Sequence, residues 1–183
     1  MAVIVAVVVL VGALCVLNLL LTLGVIRRLR EHTDLIAEST SPPPGMPTLP
    51  VGRQVADYTA TTTDGEPVSR DDLSGDTLVA FLTPTCKPCQ EQMPELAKVA
   101  QVWAGGRDHV LVVIIGDSGE AAKYVKTLAP VARVVVEESL DSPITTAFEV
   151  AAFPLFGLVD GIGKVLRSTL TPTGLQMMDA TIA

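Results

Sequence analysis

The sequence predicts an α/β fold, a mainly parallel sheet covered by helices on both faces, preceded by one transmembrane helix. Short apolar runs typical of buried strands alternate with segments of helical pattern, which predicts the sheet. A pair of cysteines stands where one of these helices begins, directly after a strand. An uncharged apolar run at the amino terminus predicts the membrane segment. Aromatic residues make up only 4% of the chain, so the core is expected to be aliphatic.

Residues 1–26 contain no Asp, Glu, Lys or Arg and are almost wholly apolar. A helix of this length, at about 1.5 Å per residue, is long enough to cross a hydrocarbon layer of about 30 Å. A cleaved signal peptide would show a basic start and small residues at a cleavage site, which this segment lacks. The positive-inside rule, taken alone, places the following domain in the cytoplasm, because three cationic residues come next: Arg27, Arg28 and Arg30.

Residues 27–48 form a predicted linker that is first charged and then rich in proline. Its three consecutive prolines, residues 42–44, favour polyproline II at about 3.1 Å per residue and therefore a semi-rigid spacer. The water-soluble domain is predicted over residues 49–183. All formal charge lies after residue 26, so the net charge of −7 belongs to the part of the chain that meets water. An acidic domain argues against nucleic acid as a partner.

The domain begins with a predicted hairpin, in which residues 58–62 form a strand, Asp64-Gly65 the turn and Val68 the start of the return strand. Apolar runs predict three buried strands: residues 77–82, 110–115 and 132–136. Helical patterns predict two helices: one from the cysteine pair to about Trp103, and one over residues 118–128. The last predicted elements are a hairpin around Asp160-Gly161, with strands at residues 155–159 and 162–166, and a helix over residues 172–182.

Cys86 and Cys89 are the predicted catalytic residues. Cysteines three apart at the start of a helix leave the first where unpaired backbone N–H groups and the helix dipole favour a thiolate. Cys86 is therefore the expected nucleophile, and Cys89, one turn further on, is placed to resolve the mixed disulfide. Lys87 adds a positive charge between them, and Pro88 fits a first helical turn that needs no N–H donor.

A zinc site and a structural disulfide are the other interpretations of the cysteine pair. A structural zinc site needs four ligands, but Cys15 lies in the predicted membrane helix, and His32 and His109 supply no second pair at a useful spacing. A disulfide between residues three apart closes too small a loop to stabilise the fold much. The sequence thus predicts a redox-active Cys86–Cys89 disulfide, with no metal and no other cofactor.

The domain resembles the thioredoxin superfamily, specifically the membrane-anchored thiol–disulfide oxidoreductases of the TlpA and ResA group. The similar positions lie in the opening strand, the first turn and the cysteine motif: Gly52, residues 55–58, Asp64-Gly65, residues 69–75, Cys86, Pro88, Cys89, Met93 and Pro94. The resemblance implies a thioredoxin-like fold with an N-terminal β-hairpin. It implies protein thiols or disulfides as clients, a membrane or soluble thiol electron donor or acceptor, and a domain outside the cytoplasm, contrary to the arginines.

The resemblance also implies a client-binding site. Members of the family carry a cis-proline facing the cysteines, and Phe153-Pro154, before the strand at residues 155–159, fits that place. Phe153 and Pro154 would then present backbone groups to a client opposite Cys86. Thr85 replaces the tryptophan that usually precedes the first cysteine, which is locally similar to the disulfide-handling protein of methylamine-utilisation clusters. The similarity is local and does not by itself imply the same client. Thr85 is a third candidate for client contact.

Two departures from the family pattern concern Cys89. The acids that relatives place near the second cysteine are replaced here by Ala80 and Gln92, so both usual proton acceptors are missing.

Two other functions remain as alternatives. A tethered binding or assembly module would use the same groove without redox turnover. A peroxidase is disfavoured, because Thr83 fits the peroxiredoxin pattern but Val79 occupies its proline position. The sequence leaves open whether the protein oxidises, reduces or isomerises its clients.

Overall fold

The computed structural model describes Met1, Ile4, Gly12 and residues 48–176. The predicted transmembrane helix, the linker and the end of the predicted terminal helix otherwise lie outside these residues. No helix within the described part of the chain is long and apolar enough to cross a membrane. Residues 48–176 belong to one compact unit.

A two-stranded antiparallel hairpin opens the domain, as predicted. Strand β1, Thr59–Thr61, pairs with strand β2, Pro67–Ser69. The turn between them contains Gly65 at a φ of 83°, a conformation that glycine adopts without the steric cost of a side chain. Thr62, just after β1, forms a bridge with Val135, so the hairpin is joined to the main sheet.

The main sheet has five strands: β3, Thr77–Leu82; β4, Val110–Ile115; β5, Arg133–Glu137; β6, Leu155–Val159; and β7, Val165–Thr169. Their order in the sheet is β5-β4-β3-β6-β7. Strands β3, β4 and β5 run parallel, whereas β6 is antiparallel to β3 and β7 is antiparallel to β6. Strand β3 is therefore central, with a parallel neighbour on one side and an antiparallel neighbour on the other.

The prediction of a mainly parallel sheet is wrong, because two of the four strand pairings are antiparallel. The second predicted hairpin accounts for one of them. The Asp160 carboxylate accepts hydrogen bonds from the N–H groups of Ile162 and Lys164 at 3.0 and 2.8 Å, which closes the turn between β6 and β7. This turn occupies residues predicted as strand, so β7 begins at Val165 instead of residue 162.

Besides two short 3₁₀ helices, Arg70–Asp72 and Gly106–His109, four α-helices accompany the sheet in residues 48–176. They are α1, Lys87–Gln101; α2, Ser118–Leu128; α3, Pro143–Ala147; and α4, Thr173–Gln176. The Asp117 side chain caps α2 by accepting a hydrogen bond from the Gly119 N–H at 2.7 Å.

Strand β3 divides the core into two apolar clusters, because its side chains alternate between the two faces of the sheet. Val79 and Phe81 belong to the cluster that contains the hairpin and Phe148. Leu78, Ala80 and Leu82 belong to the other cluster, which contains residues of α1 and α2 and includes Cys89. The cysteine pair therefore lies above one defined face of the central strand.

Candidate active site

Cys86 is the residue immediately before the first turn of α1. Strand β3 ends at Leu82, and a four-residue loop leads to the helix, which begins at Lys87. The loop is held by the Cys86 N–H, which donates to the Thr83 carbonyl at 3.3 Å, and by the Gln90 N–H, which donates to the Cys86 carbonyl at 3.1 Å. The Cys86 sulfur lies at the positive end of a 15-residue helix. Because the Cys86 side chain makes no capping hydrogen bond, the sulfur is free to react.

Cys89 lies one turn further along α1 and is completely buried, whereas Cys86 is partly exposed. Both are free thiols. Burial raises the pKa of the Cys89 thiol to about 12, because the apolar surroundings disfavour the thiolate. The difference in exposure means that an external disulfide can reach Cys86 but not Cys89.

The Phe153-Pro154 peptide bond is cis, the geometry that the family resemblance implies. It directly precedes β6, which pairs with β3, and this places it beside the cysteine loop. The thiol of Cys86 donates a weak hydrogen bond to the Phe153 carbonyl, with the sulfur and oxygen 3.8 Å apart. Pro154 is buried and Phe153 is partly exposed. The structure thus brings these two predicted residues together with Cys86, and their role in client binding stays a prediction.

The other predicted site residues surround Cys86 at the surface. Thr85, Lys87 and Pro88 are all exposed. The Thr85 hydroxyl lies 3.2 Å from the hydroxyl of Thr83, within the loop. Pro88 is in the first turn of α1, where a backbone N–H would have no partner in the helix.

Neither position at which relatives carry an acid provides one near Cys89. Ala80 is fully buried on β3 in the same apolar cluster as Cys89. The Gln92 side-chain oxygen is buried and has no hydrogen-bond partner among the described residues. Glu91, the adjacent carboxylate, is exposed. The environment of Cys89 is therefore apolar and uncharged on the sheet side.

Sequence reasoning missed a groove of about 420 Å³ beside the cysteine loop. Its walls come from that loop, from α1 and from the start of α2, and are formed by Pro84, Thr85, Gln90, Met93, Glu120, Lys123 and Tyr124. Gln90 stabilises one wall through a hydrogen bond from its side-chain nitrogen to the Pro84 carbonyl, at 2.7 Å. The sequence shows the spacing of the buried residues along α2, but it does not show which elements those residues contact.

No group of three or more His, Cys, Asp or Glu side chains in residues 48–176 is arranged to hold a metal ion.

The sequence profile of the AhpC/TSA family matches residues 51–166. The chain belongs to the AhpC/TSA family. This assignment confirms the predicted thioredoxin superfamily and the prediction of an oxidoreductase. A similar member is the thioredoxin-like protein YneN of Bacillus subtilis, 26% identical over 118 residues, which cover 62% of this chain and 68% of YneN.

Solved structures similar to this AhpC/TSA family member share its fold. The thioredoxin domain of a thiol-disulfide oxidoreductase from Bacteroides vulgatus superimposes with a TM-score of 0.60 at 20% identity, covering 74% of this chain and 99% of that domain. A thio-disulfide isomerase from Thermus thermophilus gives a TM-score of 0.58 at 23% identity, covering 73% and 96%. The predicted thioredoxin-like fold is confirmed for the domain.

Proposed function

We propose that this protein is a membrane-tethered thiol–disulfide oxidoreductase that exchanges disulfides with protein clients through its Cys-Lys-Pro-Cys site. One observation carries the proposal: a partly exposed Cys86 at a helix N-terminus faces the Phe153 carbonyl, while Cys89 is buried one turn behind it. Family membership supports the chemistry. The pair itself is the redox centre, so the reaction needs no metal or organic cofactor.

The proposed reaction has two exchange steps. In the reducing direction, the Cys86 thiolate attacks a client disulfide, forms a mixed disulfide and releases one client thiolate. Cys89 then loses its proton and attacks the Cys86 sulfur, which forms the Cys86–Cys89 disulfide and releases the second client thiolate. The client gains two electrons and the cysteine pair loses two. Oxidation of a client is the same sequence in reverse.

The surface around Cys86 supports a protein client rather than a small buried substrate. Thr85, Lys87 and Pro88 are exposed around the sulfur, and the Phe153 carbonyl lies on one side of it. An extended client segment can therefore place its cysteine at Cys86 and pair its backbone with the segment at Phe153-Pro154. Lys87 supplies a positive charge next to the reacting thiolate.

Trapping of the mixed disulfide tests this proposal. A Cys89→Ser variant cannot complete the second step, so it should accumulate a covalent adduct with a disulfide-bonded model peptide, detectable as an added mass that a reductant removes. The matched Cys86→Ser variant keeps the buried thiol and should form no adduct. An adduct at Cys89 in Cys86→Ser, or none at Cys86 in Cys89→Ser, would refute the assigned roles. Retention of cellular function by Cys86→Ser would instead favour a binding or assembly module.

Disulfide exchange must be distinguished from peroxide reduction, because the sequence before Cys86 carries part of the peroxiredoxin pattern. Thr83 is placed as in peroxiredoxins, but Val79, at their proline position, is fully buried in β3 and paired with Gly157. We expect reaction with hydrogen peroxide to be much slower than reaction with a disulfide. Stopped-flow measurement of both rates on the reduced protein decides between them.

The membrane anchor and the outer location of the domain belong to the same proposal. The uncharged run over residues 1–26 supports the anchor, and the resemblance to anchored oxidoreductases supports a domain outside the cytoplasm. Protease treatment of intact spheroplasts tests the topology: digestion of the domain supports an outer location, and protection refutes it. The reduction potential of the pair gives the direction, with about −120 to −180 mV indicating an oxidant or isomerase and about −270 mV a reductase.

A further inference from the structure

Cys89 must become a thiolate in an environment that disfavours one. On the sheet side it meets only the uncharged side chains of Ala80 and its neighbours on β3 and β4. Among the described residues, two other titratable side chains belong to the apolar cluster of Cys89 or pack against it: Tyr124, from α2, and Cys86, the residue before α1. The buried acid that relatives use to accept the Cys89 proton is absent, so the proton has to reach another acceptor.

Tyr124 has the properties needed to stabilise the Cys89 thiolate. It belongs to the same cluster as Cys89 and is only 3% exposed. Its hydroxyl is buried and has no hydrogen-bond partner among the described residues. A buried hydroxyl without a partner is costly, and this side chain lines the groove with Gln90 and Met93, the α1 residues one place and one turn beyond Cys89. Burial, with the two cysteines nearby, raises the pKa of the phenol, so it remains a proton donor across the physiological range.

The position of Tyr124 also connects Cys89 to solvent. Tyr124 lines the groove of about 420 Å³ together with Met93, which lies on the buried face of α1 one turn beyond Cys89. The rim of this groove carries the exposed Glu120 and Lys123. Strand β4, which leads into α2, and strand β6, which follows Phe153-Pro154, lie on opposite sides of β3.

We propose that Tyr124 is a positioning residue for the resolving step, in which its hydroxyl donates a hydrogen bond to the Cys89 thiolate. This inference rests on the proposed function. The Cys89 proton passes to water in the groove, the thiolate attacks the Cys86 sulfur, and the bond between Cys86 and the client sulfur breaks with its electron pair on the client. In the opposite direction the same hydrogen bond stabilises Cys89 as the leaving thiolate.

Reaction of the reduced full chain, in detergent, with one equivalent of dithiobis(nitrobenzoate) separates the two steps. Attack by Cys86 releases the first nitrothiobenzoate, and attack by Cys89 on the mixed disulfide releases the second. We expect Tyr124→Phe to slow the second release between about tenfold and about a hundredfold, the effect of a lost hydrogen bond to a charged group. The first release should stay within about twofold of the wild-type rate.

Tyr58→Phe is the matched control. Tyr58 also has a buried hydroxyl without a partner in the described residues, but it lies in the cluster on the other face of the sheet. This variant should keep the wild-type rate in both phases. Equal second-phase rates in Tyr124→Phe and wild type would overturn the proposal, as would equal slowing by both tyrosine variants or equal slowing of both phases.

The pH dependence of the second phase distinguishes a hydrogen bond to the Cys89 thiolate from a purely structural role of Tyr124. Loss of the hydrogen bond should raise the apparent pKa of the second phase in Tyr124→Phe relative to wild type, and an unshifted profile would contradict the proposal. Failure of the proposed function looks different: the wild-type protein itself would release the first equivalent but not the second.

Discussion

Replacement of Ala80 by aspartate restores an acid near Cys89 and is expected to destabilise the domain strongly at neutral pH. Ala80 is fully buried on the central strand, and its side chain points into the apolar cluster that contains Cys89. Full burial of a carboxylate raises its pKa by up to about 3–5 units. The reason is that the charged form loses its hydration without gaining a partner on this face of the sheet.

The direction of the pH effect follows from the raised pKa. Unfolded Asp titrates near about 3.9, so below that pH both states of the variant are neutral and the charge costs nothing. As the pH rises, the unfolded chain ionises and the folded chain does not, which costs about 1.4 kcal/mol per pH unit. Between pH 4 and pH 7 the free energy of unfolding should therefore fall by about 4 kcal/mol. This loss is a large share of the roughly 5–15 kcal/mol typical of a domain.

Urea unfolding at both pH values, followed by fluorescence of the single tryptophan, Trp103, measures this effect. Ala80→Asn is the control, because it adds nearly the same volume and polarity without an ionisable group. Its steric cost should be similar at pH 4 and pH 7. The reasoning is refuted if Ala80→Asp and Ala80→Asn change in parallel between the two pH values, since the site would then hydrate a carboxylate.

Three further predictions concern the fold and the reactivity of the cysteines. Gly157→Ala should lower the free energy of unfolding by about 1–3 kcal/mol in urea titrations, because its Cβ would lie 2.5 Å from a methyl carbon of the buried Leu49. Asp117→Ala removes the cap of α2 and should lower the free energy of unfolding by about 1 kcal/mol in the same titrations. Asp117→Asn should keep most of the stabilisation that the cap provides. Iodoacetamide at pH 8 should modify Cys86 but not Cys89 in the native protein, as peptide mass spectrometry will show; rapid native labelling of Cys89 would contradict its burial and its pKa of about 12.

Elements with strong local patterns were predicted closely from sequence. The bounds of β3, β4, β6 and α2 match the predicted ranges, because each apolar run or helical stripe ends at polar or turn-forming residues. Helix α3 was not predicted, since Pro143–Ala147 is too short to show a helical period. The direction of β6 was also missed, because pairing direction depends on the path of the chain between strands and not on residue pattern.

The site was predicted to a similar extent. The cysteine motif is local, so its position at a strand-to-helix junction was visible, and Pro154 was found through the family resemblance. Tyr124 was not found, because it lies on a different helix and joins the cluster of Cys89 only through the packing of α2 against the sheet. Its spacing from Ala121 and Leu128 marks a buried helical face, which is a packing signal and not a functional one.

The central position of β3 brings the parts of the proposed site together at one loop. Its antiparallel neighbour β6 brings the Phe153 carbonyl to Cys86, and its parallel neighbour β4 leads into α2, which forms part of the groove. Thr85 is exposed beside Cys86 and also lines the groove. Because Cys89 is buried one turn behind Cys86, it reaches only the sulfur that Cys86 has already joined to a client, and the order of the two exchange steps follows from the fold.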